Sequence, residues 1–379
     1  MVHAFGDLVH WLPLGLPAFL FVITLVVFFH ELGHFLMARA FGVAVETFSI
    51  GFGPAIFAWT DKKGTRWKVS WVPLGGYVKF LGDADAASTP DREELDRMSP
   101  EQRANAFQEK PLLQRALVVA AGPGANFILA IVIFAATFMF VGREIVRPVI
   151  DTVQPGSAAA AAGLKPGDVV TTVDGNAVGS FADLKGVVAM SAGRTLAVTV
   201  KRQGKPVTLS VTPRLQEVKD RFGNVQKMGV LGVMNRIKAD EIETVRYGFF
   251  GAVGEASYQT WFVVKSTMTY LWRMVIGQQD ASQLSGPVGI ARVSEQVATI
   301  GFLALINLAA LISVSIGLVN LFPVPILDGG HLLYYGCEAV LGRPLGARAQ
   351  DVGFRVGLAV MLGLMVLATW NDLVRLNLF

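Results

Sequence analysis

Two histidines and a glutamate lie inside an apolar stretch near the start of the chain. Residues 16–29 are almost wholly apolar, and apolar character resumes at 35–38, after the sequence His30-Glu31-Leu32-Gly33-His34. As a helix, this stretch of roughly 22 residues is about 33 Å long, which is enough to cross a bilayer. Ionisable side chains at membrane depth are costly, so a functional role is their first interpretation.

The spacing of these side chains indicates metal chemistry. His30 and His34 are four residues apart, so they share a helix face and can bind one metal ion. Glu31 points roughly 100° away from His30, where it can act as a general base toward water at the metal. Catalytic zinc usually takes three protein ligands, so a third carboxylate or histidine is expected elsewhere. A hydrogen-bonded pair of core histidines is the weaker alternative in such apolar surroundings.

Composition places the chain among integral membrane proteins. Of its 379 residues, 53% are hydrophobic and only 16% are charged, which is typical of a polytopic α-helical membrane protein. The net charge of +4 forms no long basic block, which argues against a nucleic-acid partner. The single cysteine, Cys337, excludes a disulfide within the chain.

Four membrane spans are expected, and their flanking charges set an orientation. The spans are 16–38, 117–141, 302–322 and 352–370. Residues 1–15 hold no lysine or arginine, whereas Arg39, Lys62, Lys63 and Arg66 follow the first span. The positive-inside rule therefore predicts an N-terminus outside the cytoplasm and a metal site near the cytoplasmic side.

The second span has an interruption early in its length. Gly122-Pro123-Gly124 lies just before Asn126, which is a polar side chain inside the apolar run. Irregular backbone lining a cavity and a plain hydrogen bond between helices are equally good interpretations.

Between the first two spans, residues 43–81 have the pattern of β-structure. The runs 65–72 and 77–81 flank Pro73-Leu74-Gly75-Gly76, which predicts a hairpin turn. An exposed strand edge here could hold an extended peptide, and a purely structural sheet is the alternative. Residues 83–109 are charged and predict a surface loop with a short helix.

The third span ends in a segment that carries the best candidate for the third ligand. Pro323 and Pro325 must break the helix, and backbone freed in this way is tolerated at membrane depth only beside a cavity. Asp328 follows the break and is the expected third ligand; a helix-capping role and ligation by His331 instead are the alternatives. Asn320 is a candidate for hydrogen-bonding the backbone of a substrate.

The region 145–235 changes character to mixed strands with many charges. Its segment 163–175, GLKPGDVVTTVDG, resembles a bacterial, circularly permuted PDZ domain, and the runs 195–200 and 207–213 predict a hairpin. The resemblance implies binding or steric screening of peptide segments. The aromatic-rich segment 241–277 favours an amphipathic helix on the membrane surface over a further span.

Three separated motifs resemble one family. HELGH at 30–34, AGPGANF at 121–127 and NLFPVPILDGGH at 320–331 are similar to the site-2 protease family of intramembrane zinc metalloproteases. The resemblance implies zinc held by His30, His34 and Asp328, Glu31 as the base, and a membrane-dipping β-hairpin.

The resemblance also implies substrates, location and domain order. Substrates would be single-span membrane proteins of the anti-sigma-factor type after a first cut, with signal-peptide remnants as a second class, in a bacterial inner membrane with a periplasmic PDZ domain. Lipid and peptide segments are the other expected partners. The substrate-binding candidates are Val69, Gly75, Tyr77, Asn126 and Asn320. The expected regions are a first helix (1–41), a β region and loop (42–113), a second helix (114–142), the PDZ domain (143–236), an amphipathic helix and loop (237–300), a third helix (301–331) and a fourth helix with the C-terminus (332–379).

Two other classes of function compete with proteolysis. A membrane-bound PDZ scaffold with a degenerate protease body predicts the loss of Glu31 or of a ligand, and none is missing. A metal transporter predicts polar residues along several spans, whereas here they cluster at one depth.

Overall fold

The computed structural model describes residues 2–83, 92–219, 225–235, 242–277 and 284–375. The chain divides into two compact units. The first unit contains Met1–Phe134, Ala256–Val264 and Leu284–Phe379, and the second contains Ala135–Glu255 and Lys265–Gln283.

The helices include four that are long and apolar enough to cross a membrane. In chain order the helices are α1 (Val2–Ala40), α2 (Arg92–Arg97), α3 (Pro100–Ala104), α4 (Leu112–Phe140), α5 (Ala158–Ala161), α6 (Phe181–Ala189), α7 (Phe249–Val275), α8 (Pro287–Ala298), α9 (Phe302–Asn320), α10 (Asp328–Leu341) and α11 (Ala347–Arg375). The candidate spans are Pro13–Ala40, Leu112–Phe140, Phe302–Asn320 and Arg348–Val374. They confirm the four apolar helices expected from the sequence; in the described residues, α7 is not among them.

The strands fall into one long pair in the first unit and several shorter pairings in the second. They are β1 (Val45–Thr60), β2 (Arg66–Phe80), β3 (Arg143–Val146), β4 (Thr152–Val153), β5 (Val169–Val173), β6 (Asn176–Ala177), β7 (Leu196–Arg202), β8 (Lys205–Val211), β9 (Arg214–Lys219), β10 (Val225–Val230), β11 (Val233–Met234) and β12 (Ile242–Val245).

The β1–β2 pair differs from the predicted hairpin. The first half of β2 (66–69) and its second half (76–79) do not pair with each other. Both pair with residues 47–50 of β1, one on each side. The far half of β1 also pairs with 66–70. Segment 66–70 is therefore enclosed on both sides, whereas Gly76–Phe80 pairs with β1 alone among the described strands. Residues 73–76, expected as a turn between two paired strands, lie within the single strand Arg66–Phe80, so the predicted hairpin is wrong.

Helix α4 runs without a break through the Gly-Pro-Gly sequence. Pro123 lies inside the helix, which removes one N–H from the helical ladder without ending it. The interpretation as irregular backbone is therefore wrong here, and the hydrogen bond between helices is the one found.

The apolar face of α1 packs against α8 and α9. The shared core contains Ala18, Val22, Val26, Leu305 and Ala309, all of them buried. At its other end, α1 contacts the sheet through a second core in which Phe35 lies edge-on to Phe48. This packing fixes the part of α1 that carries the histidines.

The second unit has its own core around a four-stranded sheet. The strand order is β6-β5-β7-β8, and the predicted hairpin is β7–β8, in which Gln203 and Gly204 adopt the positive φ of a tight turn. Arg202 donates two hydrogen bonds of 2.7 Å to the carboxylate of Asp168, which is buried at the start of β5. These bonds hold the pKa of Asp168 below its usual range.

Candidate metal centre

Three side chains from α1 and α10 converge on one point. His30 Nε2 lies 3.3 Å from His34 Nε2. Asp328 Oδ2 lies 3.2 Å from His30 Nε2 and 3.5 Å from His34 Nε2. Of the described residues, these three form the group of ligand side chains that could hold a metal ion.

The spacing of the three atoms matches tetrahedral zinc. With metal–ligand distances of about 2.0–2.1 Å, tetrahedral coordination places ligand atoms about 3.3–3.4 Å apart. The observed separations of 3.2, 3.3 and 3.5 Å bracket that value. Two imidazoles and one carboxylate are also a common ligand set for catalytic zinc, with a fourth position left for water or substrate. The residues present therefore fit the metal.

The ring of His34 is oriented by the backbone of α4. Its Nδ1 lies 2.9 Å from the carbonyl oxygen of Val118. A carbonyl can only accept, so Nδ1 carries the proton and Nε2 presents its lone pair to the centre.

A glycine makes room for this ring. A Cβ on Gly122 would overlap with Nε2 of His34, and a Cβ on Gly33 would overlap with the backbone oxygen of Ala121. Helices α1 and α4 therefore approach so closely that only glycine fits at the crossing. Gly122 of the Gly-Pro-Gly sequence therefore serves this contact, and the helix is not broken there.

His30 contacts two asparagines. The Nδ2 atom of Asn126 lies 3.2 Å from His30 Nδ1, on the side of the ring away from the centre. The Nδ2 atom of Asn320, at the end of α9, lies 3.5 Å from His30 Nε2. Asn126 is fully buried, and the hydroxyl of Ser313 donates to its backbone carbonyl at 2.9 Å.

Asp328 is positioned by the segment that follows α9. It is the first residue of α10, where the helix dipole favours a carboxylate. Gly329 and Gly330 pack directly on the backbone of Leu321 and Val324, and a Cβ at either glycine would overlap with that backbone. The Leu-Asp-Gly-Gly sequence therefore allows the start of α10 to fold back against the end of α9.

A second contact holds α10 in place. Arg115 on α4 donates to Glu338 at 2.6 Å, and its guanidinium lies 4.9 Å from the ring centre of Tyr335. The side chains of Arg115 and Glu338 are both largely buried. Removing either partner of such a pair leaves an uncompensated buried charge. This pair ties the ligand-bearing helix to the helix that orients His34.

Glu31 faces a cavity next to the three ligand atoms. The cavity has a volume of about 140 Å³ and is lined by both histidines, Asp328, and the strand residues Gly76, Tyr77 and Val78. The backbone of Val78 contributes a hydrogen bond to Glu31. A space of this size holds water beside polar groups, so Glu31 is placed to take a proton from water at the centre.

The structure brings some of the predicted site residues together and separates others. Tyr77 and His331 line the cavity, but His331 is not part of the group of three ligand side chains. Val69 and Gly75 are not among the described residues that line it. Sequence reasoning missed the backbone atoms of Val118 and Val78, because they carry no side-chain signal.

Sequence comparisons decide the family. The profile of peptidase family M50 matches residues 18–364. The chain belongs to peptidase family M50, the site-2 protease family.

Relatives from several bacteria agree with this assignment. A protein of Agrobacterium fabrum named as a zinc metalloprotease is 49% identical, with 94% of each chain covered. Metalloprotease MmpA of Caulobacter vibrioides is 43% identical over 96% of each chain. Regulator of sigma-E protease RseP of Escherichia coli is 32% identical over 95% of this chain and 98% of that protein. This M50 member is a zinc metalloprotease, and its bacterial relatives and four apolar helices indicate an inner-membrane protein.

Replacing Gly122 by alanine is expected to disrupt the metal centre. The added Cβ would displace the ring of His34, and displacement of a ligand by about 1 Å can cost about 100-fold in rate. We expect zinc content to fall well below one per chain and cleavage to fall at least about 10-fold, measured by metal analysis and by peptide-bond cleavage of a membrane substrate.

Gly124→Ala is the matched control for this prediction. It lies two residues away on the same helix, and a Cβ there meets nothing within 4 Å. Its zinc content and activity should match the wild type. Full zinc content in Gly122→Ala would contradict the close approach of α1 and α4.

Proposed function

We propose that this chain is an intramembrane protease that cleaves the transmembrane segments of single-span membrane proteins. In this proposal His30, His34 and Asp328 hold the catalytic zinc and Glu31 is the general base. The observation that carries it is the location of the ligand atoms, since both histidines lie inside an apolar helix long enough to cross a bilayer. A substrate reaching them must itself enter the membrane.

The residues of the cavity have distinct tasks in peptide hydrolysis. When bound, zinc polarises the scissile carbonyl and lowers the pKa of water. Glu31 takes a proton from the attacking water at its carboxylate and returns it to the leaving amine. The amide of Asn320, close to His30 Nε2, donates to the substrate backbone and orients the scissile bond.

An extended substrate is proposed to pair with the outer segment of β2. A helical substrate must unwind before cleavage, because a hydrogen-bonded helix offers no free carbonyl. Gly76–Phe80 pairs with β1 on one side only, and Gly76, Tyr77 and Val78 line the cavity next to Glu31. Strand addition there would place a substrate peptide bond beside the metal. The enclosed residue Val69 has no free edge to offer.

The orientation and the partners form the rest of the proposal. The basic residues after α1, such as Arg39 and Lys62, support an N-terminus outside the cytoplasm and a centre near the cytoplasmic side. The exposed aromatic side chains of α7, such as Phe250, Trp261 and Trp272, support a position at the lipid interface.

The second unit is proposed to be a periplasmic PDZ domain. Support comes from its chain order, in which a short helix (α5), a turn and strand β5 follow one another before the α6 helix and the β7–β8 hairpin. Such a domain would bind peptide segments or exclude substrates that still carry a large extracytoplasmic domain. The similarity to RseP, named as a regulator of sigma-E protease, supports substrates of the anti-sigma-factor type.

Cleavage by Glu31→Gln beside the wild type tests the proposed reaction. The amide cannot accept a proton, so turnover should fall by about 100- to 10,000-fold, while zinc content stays at the wild-type level. The assay uses reconstituted full-length protein and a single-span anti-sigma-type substrate, with its extracytoplasmic domain either present or removed. The trimmed form should be cleaved preferentially.

The two arms of this experiment fail separately. Equal turnover by Glu31→Gln and wild type would contradict the role of Glu31. Equal cleavage of trimmed and untrimmed substrate would contradict the requirement for a first cut, while leaving the chemistry unaffected.

Cysteine cross-linking tests the proposed strand addition. In a chain carrying Cys337→Ser and Glu31→Gln, we expect Tyr77→Cys to form a disulfide with a cysteine placed next to the scissile bond of the substrate. Val69→Cys is the matched control, because the segment around it is enclosed by β1 on both sides. Equal cross-linking at both positions, read on a denaturing gel, would contradict docking at the Gly76–Phe80 edge.

A further inference from the structure

Asn126 is a buried polar side chain whose role the proposed reaction does not explain. Its side chain is fully buried in the middle of α4. Its Nδ2 lies 3.2 Å from Nδ1 of His30, and its Oδ1 is buried with no hydrogen-bond partner among the described residues. An unpaired buried amide oxygen is costly, so this placement requires a reason.

The chemistry of His30 supplies that reason. Its Nε2 faces the centre, 3.2 Å from Asp328 Oδ2 and 3.3 Å from His34 Nε2. A neutral imidazole that presents its lone pair at Nε2 carries its proton on Nδ1 and needs an acceptor there. His34 has such an acceptor in the Val118 carbonyl. For His30, the neighbouring group is the amide of Asn126.

The amide of Asn126 can meet this need by turning. An asparagine offers a donor and an acceptor of nearly the same shape. A half-turn about the last side-chain bond brings Oδ1, the atom without a partner, against the Nδ1–H of His30. This rotation provides the acceptor that the ring needs, and the Nδ2 donors then take the position in which Oδ1 has no partner among the described residues.

We propose that Asn126 is a positioning residue of the metal centre: its amide oxygen accepts from Nδ1–H of His30 and fixes the tautomer and plane of that ring. The inference rests on the proposed zinc ligands and replaces the substrate-binding role expected for Asn126. The backbone of Asn126 is held in place, because the hydroxyl of Ser313 on α9 donates to its carbonyl. Gly317 lets α9 approach this part of α4 closely. Full burial leaves the side chain no exposed surface for a substrate.

Zinc affinity of full-length variants, measured by competition with a chelator, tests this role. Asn126→Leu keeps the volume and removes the acceptor, so its zinc affinity should fall by about 10- to 100-fold. Asn126→Asp keeps an acceptor and should bind zinc at least as tightly as the wild type. Ser313→Ala is the control, because it loses only the bond to the Asn126 backbone; its affinity should stay within about threefold.

The outcomes separate a positioning role from a substrate contact. Unchanged zinc affinity in Asn126→Leu, with a raised KM, would overturn the proposal in favour of substrate binding. Equal weakening in Asn126→Leu and Asn126→Asp would also overturn it, because the acceptor would not be the cause. Zinc affinity is read without any substrate, so the result stands apart from whether a chosen membrane substrate is cleaved.

A second measurement needs no variant. The chain has five histidines, so nitrogen NMR of histidine-labelled, zinc-loaded wild type can be assigned ring by ring. We expect the proton of His30 on Nδ1 with a chemical shift typical of a hydrogen bond. A proton-free Nδ1 on His30 would overturn the proposal even if Asn126→Leu failed to fold.

Discussion

The need to satisfy polar groups inside an apolar helix bundle governs the design of this protein. An unpaired polar group in such surroundings costs several kcal/mol, yet α1 carries two histidines within its apolar length. Each ring uses one nitrogen for a contact with α4 and turns the other toward Asp328. The centre is therefore built as much by its supporting contacts as by the three ligand side chains.

Close helix packing makes these contacts possible. The glycine at position 122 lets α4 come near enough for Val118 to reach His34, and the paired glycines 329 and 330 fold α10 back against the end of α9. The Arg115–Glu338 pair then joins α4 to α10. Three separate stretches of sequence therefore serve one purpose, which is to bring side chains from distant parts of the chain within 3.5 Å of one another.

Sequence reasoning reached the side chains that carry chemistry but not the backbone that holds them. The spacing of His30 and His34 and the prolines before Asp328 were enough to predict three residues that the structure brings together, because helical periodicity and helix breaking are local effects. The contact of Asn126 with His30 depends on how one helix rotates against another, which no local pattern states. Val78 was missed because a backbone amide has no identity in the sequence.

The β-sheet shows the same limit in another form. The sequence predicts strands at 65–72 and 77–81, and both are found, but residues 73–76 continue the strand instead of forming the expected turn, and the strand order is not predicted. A turn predicts that the chain reverses, not that β1 will enter between the two halves of β2. Because β1 pairs with both halves of β2, Gly76–Phe80 has one unpaired edge beside Glu31. The strand order that the sequence does not predict is therefore the one that creates the proposed substrate-binding edge.

X-ray absorption at the zinc edge of the purified wild-type protein identifies the ligands of the metal directly. We expect two imidazole nitrogens and oxygen ligands, with all metal–ligand distances at about 2.0–2.2 Å. Three imidazoles would place His331 in the ligand set and contradict the role given to Asp328. A sulfur ligand at about 2.3 Å would mean that Cys337 binds the metal and that the centre described here is not the zinc site.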